Sequence, residues 1–146
     1  MLPISCNFVI LKKKENKRMK FPLKIGDSTT FSKTVSESDV YLFAGLTGDF
    51  CKNHVDADYM KNSPFGERIA HGALLVGFMS TASSEIVKDG MNDSDLMPVS
   101  IGYDRLRFLK PVLFNDTITV NYVIEEIDIE KSRSIGDVKS LISMMN

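Results

Sequence analysis

Large apolar side chains alternate with three polar ones and Val123 along residues 117–124. The large apolar side chains are those of Ile118, Val120, Tyr122 and Ile124. Successive side chains of a strand point to opposite faces of the sheet, so this period of two predicts a strand with one buried face. Shorter versions of the pattern beginning at residues 31 and 99 predict two further strands. The first covers residues 31–35, and the second continues past residue 103, with a change of phase before Leu106 and Phe108, until Pro111 ends it.

A helix is predicted between the first of these strands and Gly48. Residues 36–39, Ser-Glu-Ser-Asp, fit a capping box, in which Ser36 bonds an amide three residues on and Asp39 lies at the positive end of the helix dipole. Gly48 is expected to end this helix, which leaves residues 49–54 in a loop. Residues 56–60 are expected to form one more short helical turn.

The longest predicted helix lies within residues 68–87, RIAHGALLVGFMSTASSEIV. Apolar residues surround it instead of forming one stripe, and many of its residues are small. The small residues are Ala70, Gly72, Ala73, Gly77, Ser80, Ala82 and Ser83. This pattern predicts a helix buried on most sides, with neighbouring elements packed closely against it. Helices and strands in this order indicate an α+β domain with an antiparallel sheet.

The N-terminal region differs in composition from the rest of the chain. Residues 12–20 carry six lysines and arginines but only one acid. From Met19 onward the composition is more typical of a folded domain. We therefore divide the 146 residues into a basic extension, residues 1–18, which can be disordered, and a single domain, residues 19–146.

Charge and composition exclude several classes of protein. The net charge is −1, and outside the basic cluster the chain is mildly acidic, which argues against a nucleic-acid face. The apolar run at residues 2–11 precedes the lysines, the reverse of a secretory signal, and no uncharged run reaches the ~20 residues of a membrane span. Two cysteines are too few for a disulfide framework, and no Cys or His spacing fits a metal site. A cytoplasmic protein without a metal is expected.

Candidate chemistry lies in the stretch GDFCKNHVD, residues 48–56, which holds one of the two histidines. This histidine has carboxylates on both sides, and a carboxylate and an imidazole can hold one water between them and exchange protons with it. A single histidine in a polar loop is more often structural, and Cys51 would need a third, orienting residue to act as a nucleophile with His54. The other histidine, His71, lies where the long helix begins and is interpreted as a packing residue.

Three segments, in this order, resemble the MaoC-like (R)-specific enoyl-CoA hydratases. They are FAGLTGDFCKNH at residues 43–54, SPFGERIAHG at residues 63–72 and RLRFLKPVLFNDTITV at residues 105–120. The resemblance implies the hot-dog fold, in which a curved antiparallel sheet wraps around one long helix.

The same resemblance implies roles for particular residues. The catalytic dyad falls on Asp49 and His54, and the amide of Gly72, at the positive end of the buried helix, would hold the thioester oxygen. Ser80, further along that helix, matches a hydroxyl that supports the site. The substrate would also need a tunnel for pantetheine and a cationic patch for the phosphates. The candidates for that patch are Arg68, Arg105, Arg107 and Lys110.

Two departures from the family pattern bear on activity. Cys51 and Lys52 stand where the family usually has Asn-Pro, and Asn53 replaces an aliphatic residue. Cysteine is a weaker hydrogen-bonding partner than asparagine, and the loss of proline removes a fixed φ. After residue 130 only sixteen residues remain, too few for the two strands with which the family ends, so an incomplete sheet is expected.

The resemblance implies reversible hydration of a trans-2-enoyl-CoA, or of the same acyl group on a carrier protein, to the (R)-3-hydroxyacyl thioester, as in fatty-acid metabolism. Such a hydro-lyase needs neither a metal nor an organic cofactor, and a homodimer or larger homo-oligomer is expected. Two alternatives remain open. One is a hot-dog acyl-CoA thioesterase, and the other is a non-catalytic module that binds acyl thioesters.

Overall fold

The computed structural model describes residues 4–12, 23–91, 96–128 and 133–143. In chain order the elements are β1 (Ile4–Lys12), β2 (Ser28–Thr34), α1 (Glu37–Thr47), α2 (Lys52–Val55), α3 (Ala57–Met60), α4 (Gly72–Met91), β3 (Leu96–Asp104), β4 (Thr117–Asp128) and β5 (Arg133–Ser143). Within these described ranges, none of the helices has both the length and the apolarity that crossing a bilayer requires.

The five strands form one sheet in the order β2-β4-β5-β1-β3. Strand β1 runs antiparallel to both of its neighbours, with Cys6 opposite Tyr103 of β3 and Gly136 of β5. The predicted alternation in β4 is confirmed, because Ile118, Val120, Tyr122 and Ile124 are buried while the intervening side chains are not. The α+β class with an antiparallel sheet is therefore confirmed.

Strand β1 corrects the prediction for the N-terminal extension. Residues 4–12 are part of the sheet, although they fall within the basic extension predicted over residues 1–18. The physical reason is their apolar and β-branched composition, which suits a strand, and Cys6 is fully buried. Residues 13–20, which carry most of the basic cluster, lie outside the described residues.

The C-terminal segment forms a single strand, β5. The sequence analysis expected too few residues here for two strands, and the described part of the segment makes one. It lies between β4 and β1 in the sheet, so it pairs on both sides although its sequence shows little alternation.

The chain forms two compact units. Unit 1 comprises Met1–Phe31, Met79–Arg107 and Val120–Ser140, and unit 2 comprises Ser32–Phe78, Phe108–Thr119 and Leu141–Asn146. The core of unit 2 is a cluster of buried aliphatic side chains with half-buried Leu74, Leu75, Phe78 and Phe114 packed against it. Its buried members are Val35, Val40, Ala70, Val112 and Ile118. Unit 2 contains Asp49, His54, His71 and Gly72, the central residues of the site described below.

Helix α1 begins and ends where the sequence predicts. The Ser36 hydroxyl accepts from the Asp39 amide at 3.2 Å, and the Ser36 amide donates to the Asp39 carboxylate at 2.8 Å, which completes the capping box. Gly48 ends the helix in the left-handed conformation, with φ of 80°. The position of the next residue, Asp49, is therefore fixed by a well-defined helix end.

Helix α4 begins at Gly72, a few residues later than the start of the apolar segment. Its burial is less complete than the sequence predicts. Met79, Ala82, Ser83 and Val87 are buried, but two small residues of the first turns, Ala73 and Gly77, are exposed in the single chain.

Candidate active site

Asp49 lies directly after the end of α1 and presents an exposed carboxylate. Its amide donates to the hydroxyl of Thr47 at 3.3 Å, and its Oδ1 accepts from the amide of Cys51, also at 3.3 Å. Both bonds are local and long, and the side chain is 53% exposed. The carboxylate is thus accessible to water, and its position depends on the backbone that carries it.

His54 lies on α2 and is buried, with 8% of its surface exposed. Its Nδ1 lies 2.7 Å from the carbonyl oxygen of Ile69. Because a carbonyl can only accept, Nδ1 carries a proton, and in the neutral ring Nε2 keeps its lone pair. The amide of Ile69 donates to the carbonyl of Asn53 at 3.0 Å, so α2 is held to this segment at two points. The loop predicted for residues 49–54 is corrected here, since residues 52–55 form a helical turn.

His71 is brought against both dyad residues. Its ring stacks on His54 with centroids 3.7 Å apart and planes 28° apart. Its Nε2 donates to the backbone carbonyl of Asp49 at 2.9 Å and lies 3.9 Å from the Asp49 carboxylate. The ring of Phe43 packs against it, with centroids 4.8 Å apart. His71 is therefore packed as predicted, but the sequence analysis missed that it packs on the dyad.

Asp49, His54 and His71 each offer one atom that could bind a metal ion, and these three atoms all lie within 4.8 Å of one another. The His71 nitrogen that lies 3.9 Å from the carboxylate, Nε2, donates its proton to the Asp49 carbonyl and therefore has no lone pair for a metal ion. The arrangement suits a shared water and proton transfer better than a cation.

Gly72, the first residue of α4, lies one position after His71 and belongs to the same unit. A Cβ built on it would lie 2.7 Å from Cε2 of Phe108, closer than real Cβ atoms approach another atom. Glycine is therefore required for the observed position of the Phe108 ring. As the first helical residue, Gly72 has an amide without an acceptor inside its own helix.

Arg68 is engaged elsewhere than in the cationic patch predicted for it. Its guanidinium pairs with Glu37 at 2.6 Å, donates to the hydroxyl of Tyr41 at 2.9 Å and lies over the ring of Phe114. Its side chain is 18% exposed. With its charge compensated by Glu37, Arg68 joins α1 to the segment that precedes α4, and we leave it out of the proposed substrate contacts.

The other predicted cations are exposed. Arg105 follows β3 in the left-handed conformation, with φ of 59°, and the Arg107 guanidinium donates to the carbonyl of Leu106 at 2.7 Å. Lys110 is exposed in unit 2. The side chains of Arg105, Arg107 and Lys110 are all exposed, and their role in a phosphate patch stays a prediction.

Ser80 lies on α4 within unit 1, beside the phenol of Tyr103. Burial raises the pKa of Tyr103, the nearby thiol of Cys6 adds to that rise, and the hydroxyl of Ser80 opposes it. The support that the resemblance assigns to Ser80 stays a prediction.

Helix α2 shows the physical effect of the departure from Asn-Pro. Cys51 is its N-cap, is exposed, and makes no side-chain capping bond. Lys52 is the first helical residue, the position that proline favours. The buried Oδ1 of Asn53 has no hydrogen-bond partner within the described ranges. Asparagine at 51 and proline at 52 would therefore provide the cap and the fixed φ that α2 lacks.

We expect the double replacement Cys51→Asn and Lys52→Pro to stabilise the protein by about 1 kcal/mol, the usual gain from a good N-cap. Cys51 has φ of −58° and ψ of 139°, which a residue before proline can adopt. If α2 holds His54 more firmly, turnover of a 2-enoyl thioester should rise by up to about tenfold. Urea unfolding and initial rates measure both effects. Lys52→Ala is the control, since it removes the same side chain without fixing φ, and unchanged stability in the double variant would contradict the prediction.

Comparison with known proteins gives relatives over most of the chain. An (R)-specific enoyl-CoA hydratase from Rhodospirillum rubrum is 37% identical over 110 residues, which cover 75% of this chain and 71% of that protein. A 3-hydroxybutyryl-CoA dehydratase from Methylorubrum extorquens is 30% identical over 122 residues, which cover 79% of this chain and 73% of that protein.

A solved structure has the same fold. The (R)-hydratase from A. caviae involved in PHA biosynthesis matches with a TM-score of 0.63 over 80% of this chain and 95% of that chain, at 21% sequence identity. This likeness confirms the hot-dog fold that the sequence resemblance implied.

The family model described as MaoC like domain matches residues 20–143. That range includes both dyad residues, His71 and the whole of α4. Together with the relative at 37% identity, this match shows that the chain belongs to the MaoC-like domain family.

Proposed function

We propose that this protein adds water reversibly to a trans-2-enoyl-CoA and forms the (R)-3-hydroxyacyl-CoA. The observation that carries the proposal is the pairing of an accessible carboxylate, Asp49, with a buried imidazole, His54, whose tautomer leaves Nε2 free to accept a proton. A carboxylate oxygen of Asp49 and a ring nitrogen of His54 lie within 4.8 Å of each other. Two hydrogen bonds of ordinary length span up to about 5.6 Å, so one water can bridge the two groups.

The proposed reaction needs two proton movements. The dyad removes a proton from the bridging water as its oxygen bonds to C3 of the enoyl group, and negative charge moves to the thioester oxygen. A proton from the dyad then reaches C2, which completes the 3-hydroxyacyl product. No proton or electron is left over, so neither a metal nor an organic cofactor is required. Dehydration follows the same steps in reverse.

The amide of Gly72 is the proposed donor to the thioester oxygen. It stands at the positive end of α4, a helix of 20 residues, and directly follows His71. A donor that is fixed before the reaction stabilises the enolate-like charge at little cost in reorganisation. Ser80, Arg105 and Lys110 complete the proposed substrate contacts, in the roles that the family resemblance implies, with Ser80 as a supporting hydroxyl and the two cations as partners for the CoA phosphates.

The proposal extends to a cytoplasmic homodimer. Helix α1 presents Leu42 and Leu46 at helical spacing with 73% and 86% of their surface exposed, and Phe50 follows with 57%. Large apolar side chains exposed along one helix are typical of a surface that is covered in an assembly. We propose that a second copy of the chain covers this surface.

The acyl group of the substrate is carried either by CoA or by a carrier protein.

When purified protein is mixed with crotonyl-CoA, the ultraviolet absorbance of the enoyl thioester should decrease. Chiral chromatography of the hydrolysed product should yield the (R)-3-hydroxy acid, and a parallel thiol assay should show no release of free CoA. Thiol release without loss of the enoyl group would make the protein a thioesterase. Binding of crotonyl-CoA with neither signal would make it a binding module, and either result overturns the proposal.

A further inference from the structure

We infer that His71 is a positioning residue that holds Asp49 and His54 in the arrangement required for the reaction. The inference rests on the proposed function, because it concerns the same dyad. The sequence alone supports only a packing role for His71, at the start of a helix.

The first step is the hydrogen bond from His71 to the backbone of Asp49. Nε2 must be the donor, because the Asp49 carbonyl can only accept, and the bond is 2.9 Å long. It joins residues 22 positions apart, whereas the bonds to Thr47 and Cys51 span two positions each. His71 therefore supplies the long-range bond that fixes the backbone carrying the exposed carboxylate.

The second step is the stack of His71 on His54. The bond from Nδ1 to Ile69 fixes one edge of the His54 ring but leaves the ring free to tilt about that edge. A tilt would move Nε2, the nitrogen proposed to hold water. The His71 ring covers one face of His54 at a centroid distance of 3.7 Å, and Phe43 packs on His71 in turn, so the tilt is restricted.

Packing alone does not account for a histidine at this position. His71 is 98% buried, since 2% of its surface is exposed, and its Nδ1 has no hydrogen-bond partner within the described ranges. A buried polar atom without a partner destabilises a protein, and a phenylalanine of similar shape would avoid that cost. What phenylalanine cannot supply is the Nε2 donor to Asp49.

His71 also connects the dyad to the proposed oxyanion donor. Its carbonyl accepts the amide of Leu74 at 3.1 Å, which places His71 at the N-terminal boundary of α4, directly before Gly72. His71 thus contacts Asp49, His54 and the first turn of α4. A displacement at His71 would move all three relative to one another.

The test compares three replacements of His71 that differ in the donor they provide. The amide nitrogen of glutamine can reach the position of Nε2, that of asparagine falls short of it, and phenylalanine keeps the shape without a donor. We expect His71→Phe and His71→Asn to lower kcat on crotonyl-CoA by about 10–100-fold, since small misplacements of reacting groups have effects of this size. His71→Gln should recover part of that loss, because it restores the donor to Asp49 but not the ring on His54, with KM little changed in all three.

Val40→Ala is the stability control. Val40 is a buried core residue of the same unit outside the site, and its truncation should lower the unfolding midpoint without lowering kcat. The inference is overturned if glutamine and asparagine lower kcat equally, if His71→Phe keeps wild-type kcat, or if Val40→Ala loses as much kcat at the same midpoint. If His71→Phe does not fold, the contrast between glutamine and asparagine still decides.

Nitrogen NMR gives a reading that does not depend on activity. The chain has two histidines, so in protein purified without a histidine tag every His71 variant retains His54 alone. His71→Phe keeps a ring against His54 and should leave the His54 nitrogen shifts close to those of wild type, whereas His71→Gln and His71→Asn remove the ring and should shift or broaden them. The proton stays on Nδ1 in all four proteins, because the Ile69 carbonyl accepts it. Identical His54 shifts in all variants would overturn the inference. If wild type does not hydrate crotonyl-CoA, the proposed function fails while the NMR comparison still decides the role of His71.

Discussion

His54→Asn is expected to lower kcat for the hydration of crotonyl-CoA by about 10²–10⁴, the range for loss of a positioned acid-base group. The amide nitrogen of asparagine can take the place of Nδ1 and keep the bond to the Ile69 carbonyl, 2.7 Å in the native protein. The variant therefore loses Nε2 while keeping the contact that holds α2. Asp49→Asn should have an effect of the same order, and because its side chain is 53% exposed the fold should be unaffected.

A variant that combines Asp49→Asn with His54→Asn tests whether the two side chains act on one water. If they do, each single replacement already abolishes the same function, so the double variant should lose little more than the worse single variant. Asp58→Asn is the matched control for Asp49→Asn, since Asp58 is exposed, pairs with Lys61 on the surface and lies outside the site. Initial rates together with circular dichroism are the measurements. Near wild-type hydration in a folded His54→Asn or Asp49→Asn variant would show that the dyad is assigned wrongly.

The elements with strong local signals could be predicted from sequence. The Ser36 capping box and the alternation in β4 depend on neighbouring residues only, and both are found as predicted. Helix α2 was not predicted because it is one turn long and its N-cap, Cys51, makes no side-chain bond. Strand β1 was assigned to an extension because the basic cluster that follows it dominates the composition of residues 1–18.

The site could be predicted only in part. Asp49 and His54 are close in sequence, so one motif contains both. The stack of His71 on His54 is a contact between separate segments, and the pattern around His71 is also typical of an ordinary helix start. The same limit applies to Arg68, whose guanidinium contacts Glu37 and Tyr41 on another element. A sequence shows which side chains carry charge, but it does not show which charges compensate one another in the fold.

The second large effect is expected at the start of α4. Gly72→Val should lower kcat on crotonyl-CoA by about 10²–10³, the size measured when one donor to a developing oxyanion is lost. A Cβ at position 72 would already lie 2.7 Å from the Phe108 ring, and valine adds two further carbons there. Either the ring or the first turn of α4 must move, and the amide proposed to hold the thioester oxygen moves with that turn. Gly45→Val is the matched control, because nothing lies within 4 Å of a Cβ on Gly45.

A second replacement separates crowding by Phe108 from displacement of the amide. Phe108 is 55% exposed, so Phe108→Ala in the Gly72→Val background removes the clash with little loss of core. We expect this double variant to regain stability and part of the lost kcat, because the first turn of α4 can return to its position while the valine side chain still occupies the space beside the thioester carbonyl. Full recovery of kcat would mean that the Phe108 ring alone caused the defect. Wild-type kcat in Gly72→Val itself would remove Gly72 from the site, and the stabilising donor would then have to come from a residue other than the first of α4.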